Sequence, residues 1–447
     1  MGVEPARTGS GDTETSEQER RQREKAEAKA RREEEKRLEE ERRAAAEEAD
    51  RIAREKAAKE AAARAVEAVG AAGGFNVMGV MREVAKPRLT GSHGAEEVGG
   101  TVRACFEALG YDVEARDFQF SPWPGRFGIT VAGVLFLIGT VAAAAFLYAG
   151  NAYGALAILL VLFVLLGMLA LLIRPAIDAM PWGRKTGTNL MATLPGARPR
   201  YIVMAHRDSK SQPVPLAFRG PAIVVGVLSW LALVVAALAH TARPLHPAII
   251  LALGVLAAVS GLILIFCWVD NRSPGALDNA SGVVTALNIA AREADAGDVA
   301  FLITDAEELG LAGARAAAPH LPAVFGVINI DGLDDDGPFY VLERFGIIRK
   351  QGLAPHLAAA LLQEAESRGE AADRRDLPFG IPVDHIPVVK AGTPALTLMR
   401  GTMRSLRRVH RPVDDLEALQ GDGVRRGADL ICGALARLRE QSRVLER

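Results

Sequence analysis

Between Phe127 and Ile173 the chain places no Asp, Glu, Lys or Arg, and between Pro221 and Val269 it places only Arg243. Each apolar block is divided by a polar break, Gly150-Asn-Ala-Tyr-Gly154 in the first and His240-Thr-Ala-Arg-Pro-Leu-His-Pro247 in the second, which reads as a turn between two helices. Each half is close to the roughly 20 residues a helix needs to cross a bilayer. The pattern therefore predicts two transmembrane hairpins, 127–174 and 221–269, with four helices in all. Buried core helices are the soluble alternative, but charge-free runs this long argue against it. Trp123, Trp182 and Trp268 fall near the helix ends, where an interfacial aromatic belt would place them. Arg126, Arg174, Arg184, Lys185, Lys210, Arg219 and Arg272 flank the polar segments, whereas the hairpin tips hold Arg243 alone. The positive-inside rule then predicts an integral protein of the cell membrane with its polar segments in the cytoplasm. The charged N-terminus, which has no apolar signal segment, agrees.

Outside the hairpins the periodicities change. Residues 16–69 are dominated by Ala, Glu, Arg and Lys, good helix formers with many i,i+4 ion pairs. Apolar heptads are missing, so 1–73 reads as a solvated helical or partly disordered arm rather than a coiled coil. The polar pieces 74–126, 175–220 and 270–447 carry shorter apolar runs. LTGSHGAEEVGGTVRACFEALGYDVEARDFQF reads as a helix followed by an alternating strand, and TNLMATLPG, PRYIVMAHRD, VAFLITD, AVFGVINID and TPALTLMRG read as further strands with helical patterns among them. Near-continuous apolar strands alternating with helices predict an α/β fold with a doubly covered, largely parallel sheet. The two hairpins then interrupt a single domain.

Charge changes this picture little. The 53 basic and 54 acidic residues balance to a net charge of −1, so no polyanion is attracted and nucleic acid is not an expected partner. Cys105, Cys267 and Cys432 are odd in number and far apart, which implies no disulfide framework and weakly favours a reducing compartment.

The strand ends carry the candidate chemistry. YIVMAHRDS ends on His206 and Asp208; GALDNASG supplies Asp278; VAFLITDAEE supplies Glu307 and Glu308; INIDG supplies Asp331; VHRPVDD supplies His410. Open α/β sheets place their sites at the carboxyl ends of strands, so groups spread over two hundred residues can converge. Nitrogen and oxygen ligands without thiolate suit zinc, with manganese or cobalt as substitutes. Each group has an ordinary structural reading. His410 beside Arg407, Arg408 and Arg411 reads alone as a surface histidine, Asp331 as a turn residue, Asp278 as a helix cap, and Glu307 and Glu308 as first-turn acids.

Taken together and in this order, AHRDS, GALDNASG, DAEELGLAGA, INIDG and VHRPVDD resemble the di-zinc aminopeptidases of the bacterial leucyl aminopeptidase type, with their glutamate carboxypeptidase-like and glutaminyl-cyclase-like relatives. The resemblance begins with PRLTGSHGAEEVG near Pro87 and runs to the C-terminus apart from the hairpins. It implies two divalent metal ions, one held by His206, Asp278 and Glu308 and the other by Asp278, Asp331 and His410, with Asp278 as the bridge. It further implies that Asp208 orients His206 and that Glu307 is the general base and acid. Asp384-His385 resembles a family segment near the substrate pocket, and the loops 339–352 and 371–387 shape that pocket.

The expected function is thus a membrane-anchored, metal-dependent aminopeptidase acting on peptide substrates, with the lipid bilayer as its other partner. Another amide hydrolase or a cyclase on the same scaffold, and a catalytically silent membrane scaffold, are the alternatives. A transporter is disfavoured because the predicted spans lack ionisable residues. Lys210 lies only about ten residues from Pro221, so at no more than about 3.6 Å per residue the site sits within roughly 35 Å of the bilayer. A substrate at the membrane surface fits that distance.

Overall fold

In the strand Tyr201–His206, Tyr201, Val203 and Ala205 alternate with Ile202 and Met204, and all five are essentially inaccessible to solvent. The first set packs into one core and the second into another on the opposite face. A strand buried on both faces reads as one apolar run, which is the pattern expected of a parallel sheet covered by helices on both sides.

The computed structural model describes residues 11–71, 74–346, 349–378 and 381–445; residues 1–10, the start of the predicted arm, lie outside these. The chain divides into two compact units, 1–60 and 61–447. Helix α1 (Gly11–Val69) carries exposed i,i+4 ion pairs such as Arg43–Glu47 at 2.9 Å and Arg51–Glu55 at 2.7 Å. Within the second unit its last turns bury Ala65, Ala68 and Val69 in the main core, and Arg64 pairs with Glu83 at 2.8 Å.

The second unit runs α2 (Val77–Val84), α3 (His93–Ala108), β1 (Asp112–Phe120), α4 (Trp123–Tyr148), α5 (Ala152–Ala179), β2 (Lys185–Thr193), β3 (Tyr201–His206), α6 (Leu216–Ala242) and α7 (Pro247–Ile265). It continues with α8 (Ser281–Glu293), β4 (Val299–Thr304), α9 (Ala312–Ala317), β5 (Gly326–Leu333), β6 (Phe339–Arg344), α10 (Pro355–Ser367), β7 (Ala372–Asp376), α11 (His385–Lys390), β8 (Ala395–Arg400), α12 (Met403–Arg408) and α13 (Asp422–Leu445). One sheet of eight strands has the order β1-β2-β4-β3-β5-β8-β6-β7. Its centre, β4-β3-β5-β8, is parallel, and antiparallel pairings flank it at β1-β2, β2-β4 and β6-β8. Helices α2, α3, α8, α10 and α13 contribute to the larger core, while the six-residue helices α9 and α11 cover the other face.

Strands β6 and β7 fall where the sequence pattern is read as pocket loops. The reason is visible in β7, Ala-Asp-Arg-Arg-Asp, whose side chains are exposed or half-buried along its whole length. A charged edge strand protects a sheet from pairing with other chains, and it leaves no apolar alternation to read.

Helices α4, α5, α6 and α7 are long and apolar enough to cross a membrane. They share a small core of their own around Phe136, Leu159, Leu233 and Ala257. A Cβ added at Gly133 of α4 would come within 2.7 Å of the Ile265 backbone, and one at Gly261 of α7 within 3.0 Å of Leu137. Close backbone approach over small residues is how helices associate where no hydrophobic drive separates them from lipid. Their outer faces leave Leu160, Leu171, Val235 and Leu251 more than 60% exposed, an apolar surface far larger than soluble monomers present.

Candidate metal centre

Parallel pairing sets His206 of β3 opposite Thr304 of β4, and Ala205 opposite Ile330 of β5. Asp331 near the end of β5, and Glu307 and Glu308 just past β4, therefore gather with His206 at one carboxyl edge. Asp278 arrives on the turn that leads into α8, and His410 on the loop after α12. Ala306 and His410 have φ of 55° and 63°, a left-handed conformation costly for residues with a Cβ and concentrated at functional sites. Ala306 is held there by Thr90 Oγ1, which accepts its N–H at 3.0 Å.

Asp278 turns one carboxylate oxygen to each histidine: Oδ1 lies 3.3 Å from His206 Nε2, and Oδ2 lies 3.0 Å from His410 Nε2. Asp331 Oδ1 completes the first group at 3.6 Å from His206 Nε2, and Glu308 Oε2 the second at 3.4 Å from His410 Nε2. The structure thus forms His206–Asp278–Asp331 and Asp278–Glu308–His410, each with donor atoms within 4.8 Å of one another. This corrects the pairing carried over from the family resemblance, which joined Glu308 to His206 and Asp331 to His410. The physical reason is strand adjacency: β5 lies beside β3 and brings Asp331 to His206, whereas the loop after α12 brings His410 to Glu308.

Supporting residues fix these groups. Asp208 accepts the backbone N–H of Glu307 and of Glu308, each at 3.1 Å, one through each carboxylate oxygen. Its Oδ1 is also 3.5 Å from His206 Nδ1, so one buried carboxylate positions both the histidine and the glutamate pair. Asp414 does the same for the shared ligand, accepting from Leu277 N at 2.8 Å and Asp278 N at 3.1 Å. Arg88, fully buried, donates to the carbonyls of Lys86, Arg207, Pro274 and Gly275, at the roots of the loops that carry Asp208 and Asp278. Replacing Arg88 by Met strands these carbonyls and is expected to cost about 3–5 kcal/mol of stability. Thermal unfolding in detergent checks it, and an unchanged Tm would remove this role.

The sequence gives Asp414 and Arg88 no role of their own, and it marks Lys210 only as a basic residue beside the second hairpin. Lys210 Nζ stands 2.5 Å from Glu308 Oε2, inside the second group. Its ligand-like placement had one signal, its position two residues after Asp208 in HRDSK. Asp384, just before α11, accepts a hydrogen bond from Thr304 Oγ1, and His385 Nδ1 lies 2.7 Å from Thr397 Oγ1, both buried behind the ligands.

The electrostatics call for cations. Burial, then repulsion from Glu308, Asp331 and Asp384, holds the Glu307 carboxyl well above its usual range despite His206. Burial likewise raises Asp331, and it pushes Asp384 up to about 7. Asp278 is the opposite case: burial resists its charge, but the His206 and His410 imidazoles at 3.3 and 3.0 Å hold it well below the usual carboxylate range. Buried carboxylates in this excess are stabilised by a metal. The orphaned buried atoms His206 Nε2 and Glu308 Oε1, which lack hydrogen-bond partners, both belong to the two groups. Imidazole and carboxylate donors without thiolate fit zinc first.

The model of peptidase family M28 matches residues 189–435, more than half of the chain and including every candidate ligand named above. Among solved structures, a zinc aminopeptidase from Bacillus subtilis superposes with a TM-score of 0.37 and 18% identity, over 57% of this chain and 50% of its own. An aminopeptidase from Aneurinibacillus sp. strain AM-1 gives 0.46 and 14%, over 80% and 92%. A glutaminyl cyclase from Porphyromonas gingivalis gives 0.44 and 16%, over 85% and 98%. This chain spans half the length of the first of these, and no curated protein matches it.

Proposed function

The chain belongs to peptidase family M28, and from that premise we propose that it is a membrane-anchored aminopeptidase that removes N-terminal residues from peptides. The observation that carries the reading is Asp278, which turns one oxygen to each of two three-ligand groups. When bound, two divalent ions, zinc or else manganese or cobalt, would acidify the attacking water and polarise the scissile carbonyl. Glu307 takes the proton as the water oxygen bonds to the carbonyl carbon. It returns that proton to the amine as the C–N bond breaks. Asp208 keeps Glu307 in register through the backbone. His206, Asp331, Glu308 and His410 serve as ligands around the shared Asp278.

Four apolar helices with exposed outer faces support placement in the membrane, and the flanking basic residues support a cytoplasmic catalytic domain. Detergent-purified protein should hold about two metal ions per chain and hydrolyse aminoacyl anilides and peptides with a free N-terminus. A chelator should abolish turnover, and zinc should restore it. Metal-loaded protein that turned over neither aminoacyl nor N-terminal glutaminyl substrates would sink the reading and leave a silent scaffold. A second reading, an amide hydrolase or cyclase working with a single ion, is favoured by Lys210, whose ammonium already neutralises Glu308 in one group. About one ion per chain, rising to about two in Lys210→Met, would select it.

A further inference from the structure

We propose that the cavity bounded by the polar end of α5, α9 and α11 binds the phosphate headgroup of an anionic membrane lipid, with Arg174 and Lys390 as its cationic contacts. The inference rests on the membrane reading above. The cavity has a volume of about 390 Å³ and combines apolar walls, including Leu311 and Ile386, with Arg174, Asp178, Arg315 and Lys390. Its size falls in the range of sites that hold small organic groups.

Depth is the first argument. The apolar run of α5 ends at Ile173, and Arg174 is the next residue. A span that ends there puts the cavity at the level of lipid headgroups. Trp123 and Trp182, 52% and 63% exposed, lie at the start of α4 and just past the end of α5, where interfacial aromatics belong.

Charge is the second. Arg315 is already satisfied, since it donates to both oxygens of Asp178 at 3.1 and 2.6 Å. Arg174 and Lys390, both exposed, have no carboxylate partner among the described residues. They are close enough that partial desolvation of the Lys390 stem together with the Arg174 guanidinium pushes the Lys390 ammonium below its ordinary value. Two neighbouring cations at the rim of an apolar cavity, facing an anionic leaflet, are relieved by a phosphate whose glycerol backbone fills the space between Leu311 and Ile386. Basic pockets beside membrane helices recognise headgroups in this way.

Two of the elements that wall the cavity lie close in the chain to residues of the candidate metal centre. Asp384 immediately precedes α11 and Lys390 is its last residue, while α9 begins four residues after Glu308. An occupied headgroup site would hold the two elements behind the ligands against the bilayer.

The test reconstitutes the full chain in phosphatidylcholine bilayers and compares spin-labelled phosphatidylglycerol with spin-labelled phosphatidylcholine by electron paramagnetic resonance. The wild type should prefer the anionic lipid, and Arg174→Gln with Lys390→Gln should reduce that preference by about fivefold per cation removed. Arg425→Gln with Arg426→Gln on α13, the same change in net charge, should leave it intact. A double variant that keeps the wild-type preference, or a control pair that loses as much, overturns the site. Suppression by millimolar inorganic phosphate, with no lipid preference left, assigns the cavity to a soluble anion and overturns the lipid. Extraction of the protein from native membranes by alkaline carbonate overturns the membrane reading and this inference with it. Retention without preference between the two lipids overturns the headgroup site alone.

Discussion

Glu307→Gln is expected to lower kcat by about 10²–10⁴-fold while the metal content stays at the wild-type level. The substitution keeps the shape of the side chain and removes only its ability to carry a proton. Glu307 makes no contribution to either three-ligand group, so the ions have no reason to leave. Its backbone N–H still donates to Asp208, which keeps the adjacent Glu308 in place. Metal analysis beside single-turnover kinetics checks the outcome. A variant that retained full activity would remove Glu307 from the mechanism, and one that lost its metal would make it a ligand instead.

Asp278→Asn is the second large effect and of a different kind. Asp278 is the one residue common to both groups, and its charge is drawn out by two imidazoles against the cost of burial. An amide replaces an anionic oxygen with a donor that faces one histidine or the other. Loss of an outer partner costs about 10–100-fold in metal affinity, so loss of the shared ligand should exceed that for both ions, with activity falling alongside. Asp331→Asn and Glu308→Gln provide the comparison. Each should weaken one ion and spare the other, and Asp331→Asn should behave like a change at His206. Identical losses for all three variants would contradict the pairing read from the geometry. Metal titration followed by calorimetry separates these outcomes.

Much of the fold was legible. The apolar runs of β3, β4, β5 and β8 report burial on two faces, a local property that periodicity records, while the mostly exposed edge strand β1 shows only as a polar strand pattern. The charge-free blocks that became α4 to α7 were legible for the same reason, since composition over about 20 residues decides whether a helix suits lipid. Strands β6 and β7 were not: the edge strand β7 buries little and carries Asp373, Arg374, Arg375 and Asp376 in a row, and β6, though largely buried, closes on Glu343 and Arg344 beside it.

The identities of the candidate ligands were also within reach of the sequence, since each follows a strand or opens a helix in its own motif. What belonged to the tertiary structure alone was company: Asp331 beside His206, Glu308 beside His410, Lys210 against Glu308, and Asp414 and Arg88 clamping the loop of Asp278. Local pattern is set by which face of each element meets water or core. Strand order and the return path of the loop after α12 are set by packing between segments over a hundred residues apart. No spacing within one motif encodes which carboxylate such packing will deliver to which imidazole.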